Sequence, residues 1–248
     1  MSNMRIDRFL SEMNIGSRRE IKEYTKAGRI TLNNEVVKKS DMKINPETDC
    51  ICFDGKEVVY AAFEYYMLNK PAGVVSATED SLHQTVIDLI KDSKRADLFP
   101  VGRLDKDTEG LLFITNDGEL AHRLLSPTKH VAKTYFARVK GTITNEDVEK
   151  FHAGVQFDRE LVAKPAELEI LSSGDISEVY VTLAEGKFHQ VKKMFLALGK
   201  EVVFLKRVKM AGIPLDEHLK SGEYRLLTED ELNQLKNPPL WLWRPEIS

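Results

Sequence analysis

Residues 102–118 (GRLDKDTEGLLFITNDG) form the stretch that most restricts how this chain can fold. The apolar run 111–114 is too short for a helix, and it lies between a glycine and an Asn-Asp-Gly turn, which is typical of a buried strand. The turn before this strand holds five charged side chains: Arg103, Asp105, Lys106, Asp107 and Glu109. Asp side chains commonly satisfy backbone donors in turns, but this does not explain the cations among them.

A calcium loop is an alternative for this turn, because its acids alternate as the first ligands of such a loop do. A calcium loop that begins at Asp105 needs a bidentate Glu at its twelfth position, which here is Asn116. It also needs a helix after the loop, where an apolar strand is predicted. The sequence therefore favours ordinary turn chemistry over a metal site.

Basic residues are concentrated in two stretches, although the 248-residue chain carries a formal net charge of −3. Residues 17–29 hold five basic and two acidic side chains, and residues 187–209 hold seven and one. Two such stretches in an acidic chain favour localised anion binding. A solvated helix face is the simpler alternative for each stretch.

The composition indicates a globular protein, since 42% of the residues are hydrophobic and a sizeable core can form. No apolar run is long enough to span a bilayer, and no secretory segment is visible near Met1. Cys50 and Cys52 are expected to be small buried side chains in a reducing cytoplasm, because two residues this close on one strand do not pair easily.

Two domains are predicted, a small module over residues 1–60 and a larger domain over residues 61–248. An amphipathic helix opens the module, and Ser17 with Glu20 forms a capping box that starts a second helix. Gly28 is expected to end that second helix.

The second half of the module is predicted to be two hairpins, with turns at Asn33-Asn34 and Asp54-Gly55. The second helix carries basic side chains that fall on its solvent side. Such side chains on a preformed helix can contact phosphates. The candidates for this role are Arg18, Arg19 and Lys22.

The larger domain contains more strands than helices, and short turns join many of them. This pattern predicts an α+β fold with a mixed, largely antiparallel sheet. Short helices are predicted over residues 86–90, 119–125, 144–151 and 228–235. Within residues 185–199 a turn leads into a further helix, which a glycine ends.

Four motifs follow one another along the chain: residues 66–73 (YMLNKPAG), 102–112 (GRLDKDTEGLL), 133–135 (KTY) and 185–194 (EGKFHQVKKM). This series resembles the pseudouridine synthases, and it looks most like their RsuA-type branch, which acts on ribosomal RNA and carries an N-terminal S4 domain. The resemblance runs from about residue 4 to about residue 235. It implies an S4-like RNA-binding domain ahead of a catalytic domain of the pseudouridine synthase type.

The resemblance implies three catalytic residues: Asp105, Tyr135 and Lys192. Asp105 would attack the nucleoside, at the ribose or at the base, and the nearby Lys192 would favour its ionised form. Tyr135 would stack on the uracil, although its spacing alone indicates a core aromatic. Because the isomerisation needs no redox change or net hydrolysis, we expect no cofactor and no metal.

The target base must leave the RNA stack, at a cost of roughly a few kcal/mol. Arg103 lies two residues before Asp105. It is expected to fill the gap that the base leaves in the RNA stack or to hold the extruded nucleotide. Further RNA contacts are expected from Lys187, His189, Gln190, Lys193 and Arg207, and His189 and Gln190 are also expected to brace the wall of the site. Asn69 and Lys70 are expected to brace the loop around Asp105, and Asp107 and Glu109 to form its turn.

The sequence thus predicts a cytoplasmic, monomeric enzyme that isomerises one uridine of 16S rRNA, free or in an assembling small subunit. Residues 222–228 (GEYRLLT) add to the resemblance that favours this target. A target in 23S rRNA is the alternative for the same reaction. The second class of function is that of a non-catalytic RNA-binding or ribosome assembly factor. The tail outside the resemblance contains Trp241-Leu242-Trp243, which is expected to pack on the larger domain.

Overall fold

The chain forms two compact units in the computed structural model, which describes residues 3–158 and 161–238. The first unit comprises the described residues up to Glu64 together with Lys91–Leu98. The second comprises Tyr65–Ile90 and the described residues from Phe99 onward. The packing predicted for Trp241-Leu242-Trp243 concerns a segment outside the described residues.

The first unit consists of two helices and several short strands. Its elements are β1 (Met4–Arg5), α1 (Ile6–Glu12), α2 (Arg18–Lys26), β2 (Ile30–Leu32), β3 (Glu35–Val36), β4 (Lys43–Ile44), β5 (Ile51–Phe53) and β6 (Lys56–Glu57). The predicted capping box at the start of α2 is confirmed, since Ser17 and Glu20 each accept a hydrogen bond from the other's backbone N–H. Both hairpin turns are confirmed as well, with positive φ at Asn33-Asn34 and at Asp54-Gly55.

Segment Lys91–Leu98 is attached to the first unit by a buried arginine. Arg95 is 6% exposed, and its guanidinium contacts the carboxylates of Asp97 and Glu12. The carboxylate of Glu64 accepts a hydrogen bond from the backbone N–H of Arg95 at 3.2 Å. The two predicted domains, divided after residue 60, did not assign segment Lys91–Leu98 to the first unit.

Most of the second unit is one sheet with helices packed against it. Its elements are β7 (Tyr65–Lys70), β8 (Phe99–Pro100), β9 (Glu109–Thr115), α3 (Gly118–Leu125), β10 (Lys133–Lys140), α4 (Asn145–Ala153), β11 (Glu167–Ser172), β12 (Ile176–Leu183), α5 (Gln190–Ala197), β13 (Glu201–Met210), β14 (Ile213–Pro214), β15 (Tyr224–Leu226) and α6 (Glu229–Lys236). The strand order is β11-β12-β10-β13-β9-β7-β15, with β14 paired to β13 and β8 to β9. Only β9 and β13 run parallel among the described pairs, which confirms the predicted α+β fold with a mixed, largely antiparallel sheet.

Residues 86–90 do not form the helix that their apolar spacing predicts. A turn replaces it, because the Asp88 carboxylate accepts from the Thr85 N–H at 2.8 Å and the Thr85 hydroxyl accepts from the Asp88 N–H at 3.2 Å. Val86 and Ile90 are buried all the same. These two apolar side chains are therefore buried from a turn, and their spacing does not indicate a helix.

The prediction of buried cysteines is wrong for Cys50, which is exposed, while Cys52 is half-buried. Their sulfur atoms lie 3.9 Å apart. Between them, Ile51 points into the core of the first unit, so the alternation of the strand turns both sulfurs away from that core. No helix within the described residues is long and apolar enough to cross a membrane.

Strand β9 is buried along nearly its whole length because it lies between β7 and β13. At its start, Gly110 pairs with Arg207 of β13 and has a φ of +99°. A Cβ at this position would lie 2.2 Å from the Arg207 carbonyl oxygen and 2.9 Å from its backbone nitrogen. Only glycine allows the two backbones to approach this closely.

We expect Gly110→Ala to lower the free energy of unfolding by roughly 3–5 kcal/mol, because it combines backbone strain with a clash that the sheet cannot relieve. Gly222→Ala is the matched control, since Gly222 has a φ of +88° but open space around its Cβ. That control should cost only about 1–2 kcal/mol. Urea denaturation followed by circular dichroism measures both, and equal losses would contradict the role of the close approach.

Candidate active site

Residues 102–108, here called the Asp105 loop, are folded around a buried ammonium group. Lys70 lies at the end of β7 and is fully buried. Its Nζ donates to the carbonyl oxygens of Pro71 at 3.0 Å, Asp105 at 3.1 Å, Lys106 at 3.3 Å and Thr108 at 2.9 Å. One side chain therefore fixes the backbone at three positions of the loop.

The segment after β7 holds the Asp105 loop from a second side. The Gly73 N–H donates to the Lys106 carbonyl oxygen at 2.7 Å. The Ser76 hydroxyl donates to the Leu104 carbonyl oxygen at 2.9 Å and accepts from the Leu104 N–H at 3.1 Å. These bonds leave the loop little freedom to change the direction of its side chains.

Asn69 does not brace the Asp105 loop, contrary to the expectation from the sequence. Its Nδ2 donates to the Leu219 carbonyl oxygen at 2.8 Å, and its backbone bonds Gly222 and Glu223. Neighbouring residues of a strand point to opposite faces, so Lys70 reaches the loop and Asn69 reaches the turn before β15.

The carboxylate of Asp105 has two nitrogen neighbours on the segment that starts α5. Nζ of Lys192 lies 3.5 Å from its Oδ2, and Nε2 of His189 lies 3.5 Å from its Oδ1. The Asp105 side chain is 26% exposed, so it can be reached from solvent. The structure thus places Lys192 beside Asp105, as the family resemblance implies, and adds His189 to the group.

Asp107 is more than a turn-forming residue, because it makes the shorter contact to Lys192. Nζ of Lys192 donates to Oδ1 of Asp107 at 2.6 Å, and this hydrogen bond holds the pKa of the Asp107 carboxyl below its usual value. The Asp107 side chain is 74% exposed. One ammonium therefore serves two carboxylates, with Asp105 as the more buried one.

Gln190 braces the site wall, as predicted, but its burial corrects the prediction that it also contacts RNA. It is buried at the first position of α5, where its Oε1 accepts from the Lys187 N–H at 2.9 Å and its Nε2 donates to the Glu185 carboxylate. These bonds shape the turn before α5. His189 follows this turn in the left-handed region with a φ of 53°.

Two adjoining cavities lie beside the Asp105 loop. The larger measures about 1020 Å³ and is lined by the loop, by segment 72–77 and by residues 186–189. The smaller measures about 270 Å³ and includes Tyr135. Residues that line both cavities are Gly102, Arg103, Leu125, Gly186 and Lys187. Asp105 thus lines the larger cavity, and Tyr135 lies in the adjoining one.

Arg207, which the sequence predicts as a phosphate contact, is a buried residue that lines the smaller cavity. It is 2% exposed, and its Nε donates to the Leu111 carbonyl oxygen at 2.7 Å. Lys133 lines the same cavity, and burial together with the Arg207 charge lowers its pKa to about 8. Sequence reasoning missed Lys133 as a site residue, although it starts the KTY motif.

The other predicted cations lie on exposed or half-buried positions. Lys193 is half-buried on α5, with its Nζ 3.7 Å from a carboxylate oxygen of Asp158. In the first unit, a groove of about 680 Å³ is lined by seven basic side chains: Arg5, Arg18, Arg19, Lys22, Lys26, Lys38 and Lys39. Arg5, Lys26, Lys38 and Lys39 were not among the predicted contacts, and the last two follow the first hairpin in sequence. Within residues 3–158 and 161–238, no cluster of three His, Cys, Asp or Glu side chains could hold a metal ion.

We expect Lys192→Met to return the pKa of Asp107 towards its usual value, because the ammonium that lowers it is removed. Lys193→Met is the control, since its Nζ contacts Asp158 instead. NMR titration of the Asp carboxyl carbons measures the change. An Asp107 pKa that stays low in Lys192→Met would contradict the ion pair.

Comparison with known proteins agrees with this arrangement. The family model described as RNA pseudouridylate synthase matches residues 64–197, and the S4 domain model matches residues 4–50. A solved structure described as a pseudouridylate synthase is 35% identical, with a TM-score of 0.66, over 94% of this chain and 99% of that one.

Relatives with similar sequences cover almost the whole chain. An uncharacterised RNA pseudouridine synthase of Bacillus subtilis is 48% identical over 95% of this chain and 99% of its own. Proteins named ribosomal small subunit pseudouridine synthase A are 41% identical in Vibrio cholerae and 38% in Escherichia coli K12, each over 92% of this chain and 98% of the relative. The chain therefore belongs to the RNA pseudouridylate synthase family, a family of isomerases, and carries an S4 domain ahead of its synthase domain.

Proposed function

We propose that this chain converts one uridine of 16S rRNA to pseudouridine. The relatives named ribosomal small subunit pseudouridine synthase A support the small-subunit target. The observation that carries the proposal is the group formed by Asp105, Lys192 and His189, in which a partly exposed carboxylate has a cation 3.5 Å away at the edge of a large cavity.

Asp105 is the reacting carboxylate in this proposal. The ammonium of Lys192 lies 3.5 Å from this carboxylate, which acts as the nucleophile. The C1′–N1 bond of the uridine breaks, the uracil turns, and a C1′–C5 bond forms. The C5 proton is lost and N1 gains a proton, so atoms and charge balance without a co-reactant. Asp105 takes part by attack at the ribose or at the base.

The smaller cavity suits the extruded uracil. Its volume of about 270 Å³ admits one pyrimidine ring, and Tyr135 offers a ring for stacking. Lys133 adds a positive charge on the same wall, where the uracil carbonyl oxygens can approach it. Arg103 lines both cavities and therefore stands where the flipped nucleotide passes, in the gap-filling role predicted for it.

RNA binding is shared between the two domains in this proposal. Residues 1–60 grip phosphates through the groove that Arg18, Arg19 and Lys22 line, which gives salt-dependent affinity of low sequence selectivity. Residues 61–248 form the catalytic domain, with Lys187 and Lys193 as phosphate contacts near the cavity. The chain acts as a cytoplasmic monomer on 16S rRNA or on the assembling small subunit.

Two alternative functions can be distinguished from the proposed one. The same reaction on 23S rRNA would use the same site, and it differs only in which rRNA is modified. A non-catalytic assembly factor would need the RNA-binding surfaces alone. The ion-paired Asp105, on a loop that borders both cavities, favours the enzyme.

We expect Asp105→Asn to reduce pseudouridine formation in 16S rRNA by roughly 10⁴-fold or more, because the amide cannot act as the nucleophile. Glu109→Gln, a carboxylate of the same turn, is the matched control and should keep the activity. Pseudouridine is mapped in 16S and 23S rRNA after incubation with each variant, and melting temperatures verify that the variants fold.

Each component of the proposal fails separately in this experiment. Activity retained in Asp105→Asn excludes it as the nucleophile. Pseudouridine that appears in 23S rRNA alone excludes the small-subunit target. A folded wild-type protein that modifies neither rRNA, free or within assembling subunits, favours the assembly factor.

A further inference from the structure

An exposed aromatic ring stands at the edge of the larger cavity. Phe188 is 65% exposed and lines this cavity together with Asp105. Its ring stacks on the His189 imidazole, with the ring centres 3.8 Å apart and the planes inclined by 20°. One face of Phe188 is thus covered by a neighbour, and the ring remains largely open to solvent.

This ring is tied to the reacting group through one intermediate side chain. Nε2 of His189 lies 3.5 Å from Oδ1 of Asp105. His189 has a left-handed backbone, and the turn before it is fixed by the bonds of Gln190 to Lys187 and Glu185. Phe188 therefore has a defined position, and only the His189 side chain lies between it and the Asp105 carboxylate.

Cations lie close to the ring. Nζ of Lys193 lies over the Phe188 ring at 5.6 Å from its centre, and Lys187 is the preceding residue and lines the same cavity. An exposed aromatic ring with flanking cations is how proteins bind single-stranded nucleic acid, since any base can stack on the ring while its phosphates meet the cations.

Exposure alone does not make the argument, because single exposed apolar residues are common. Leu196 lies on α5 and is 68% exposed, yet it lines neither of the two cavities. Phe188 differs from Leu196 in its aromatic ring, its flanking cations and its place in the cavity wall.

We propose that Phe188 is a stacking platform for the nucleotide next to the target uridine. The proposal rests on the proposed function for the position of the target uridine in the smaller cavity, whereas stacking of a base on Phe188 can be measured without any reaction. One base stacks on the exposed part of the ring, and Lys187 and Lys193 meet the adjoining phosphates, for which the Lys193 ammonium moves from its place over the ring. Contact with a base of this kind holds the RNA strand in register while the neighbouring uridine enters the smaller cavity.

The test uses a nine-nucleotide RNA of uridines with 2-aminopurine at its centre, because stacking quenches the fluorescence of this base. The wild-type protein is expected to quench it. Phe188→Ala and Phe188→Leu should lose the quenching and weaken binding by roughly 5- to 100-fold, and Phe188→Tyr should keep both. Leu196→Ala is the control for loss of an exposed apolar side chain and should behave as the wild type.

Absent quenching with the wild-type protein, or equal quenching with Phe188→Ala, overturns the proposal. Retained binding in Phe188→Leu also overturns it, because apolar bulk would then suffice without a ring. On rRNA, Phe188→Ala should raise KM and leave kcat unchanged, as expected for a residue that positions the strand. The fluorescence result is independent of activity, so an inactive wild-type protein would defeat the proposed reaction and not this inference.

Discussion

The site depends on the hydrogen bonds between the buried Lys70 ammonium and backbone carbonyl oxygens. A charge without water must be compensated, and here four backbone carbonyl oxygens surround it, three of them in the Asp105 loop. Burial lowers the Lys70 pKa from 10.5 to about 8, against the raising effect of the nearby carboxylates. The unfolded chain therefore holds this proton more tightly, so this group's contribution to stability rises between about pH 8 and pH 10.5. The protein keeps a costly cation because it shapes the loop.

The centre of the sheet connects this cation to the remaining parts of the site. Lys70 of β7 pairs with Gly110 of β9, and Gly110 pairs in turn with Arg207 of β13. The loop that carries Asp105 enters β9 at this point, and Arg207 lines the cavity that holds Tyr135. A single row across three strands thus sets the direction of the Asp105 carboxylate and the wall of the proposed uracil pocket.

Local chemistry was predictable from the sequence, and distant packing was not. The capping box of Ser17, the hairpin turns and the apolar strand after the Asp105 loop each depend on residues close together in sequence. Burial of Arg207, the turn at residues 86–90 and the sharing of Lys192 between two carboxylates depend on elements that meet only in the folded chain. The grouping of Asp105 with Lys192 came from the resemblance to a family and not from spacing. Lys70 was expected to brace the loop, but the number of its carbonyl partners could not be foreseen.

The most direct measurement is the single-turnover rate of pseudouridine formation by Lys70→Met at saturating rRNA. Methionine fills the same space but donates no hydrogen bond, so the Asp105 loop loses its common anchor. With the protein folded and its RNA affinity unchanged, we expect the rate to fall by roughly 100-fold, the effect of a displacement of about 1 Å at a reacting group. A folded Lys70→Met protein that reacts at the wild-type rate would contradict the account.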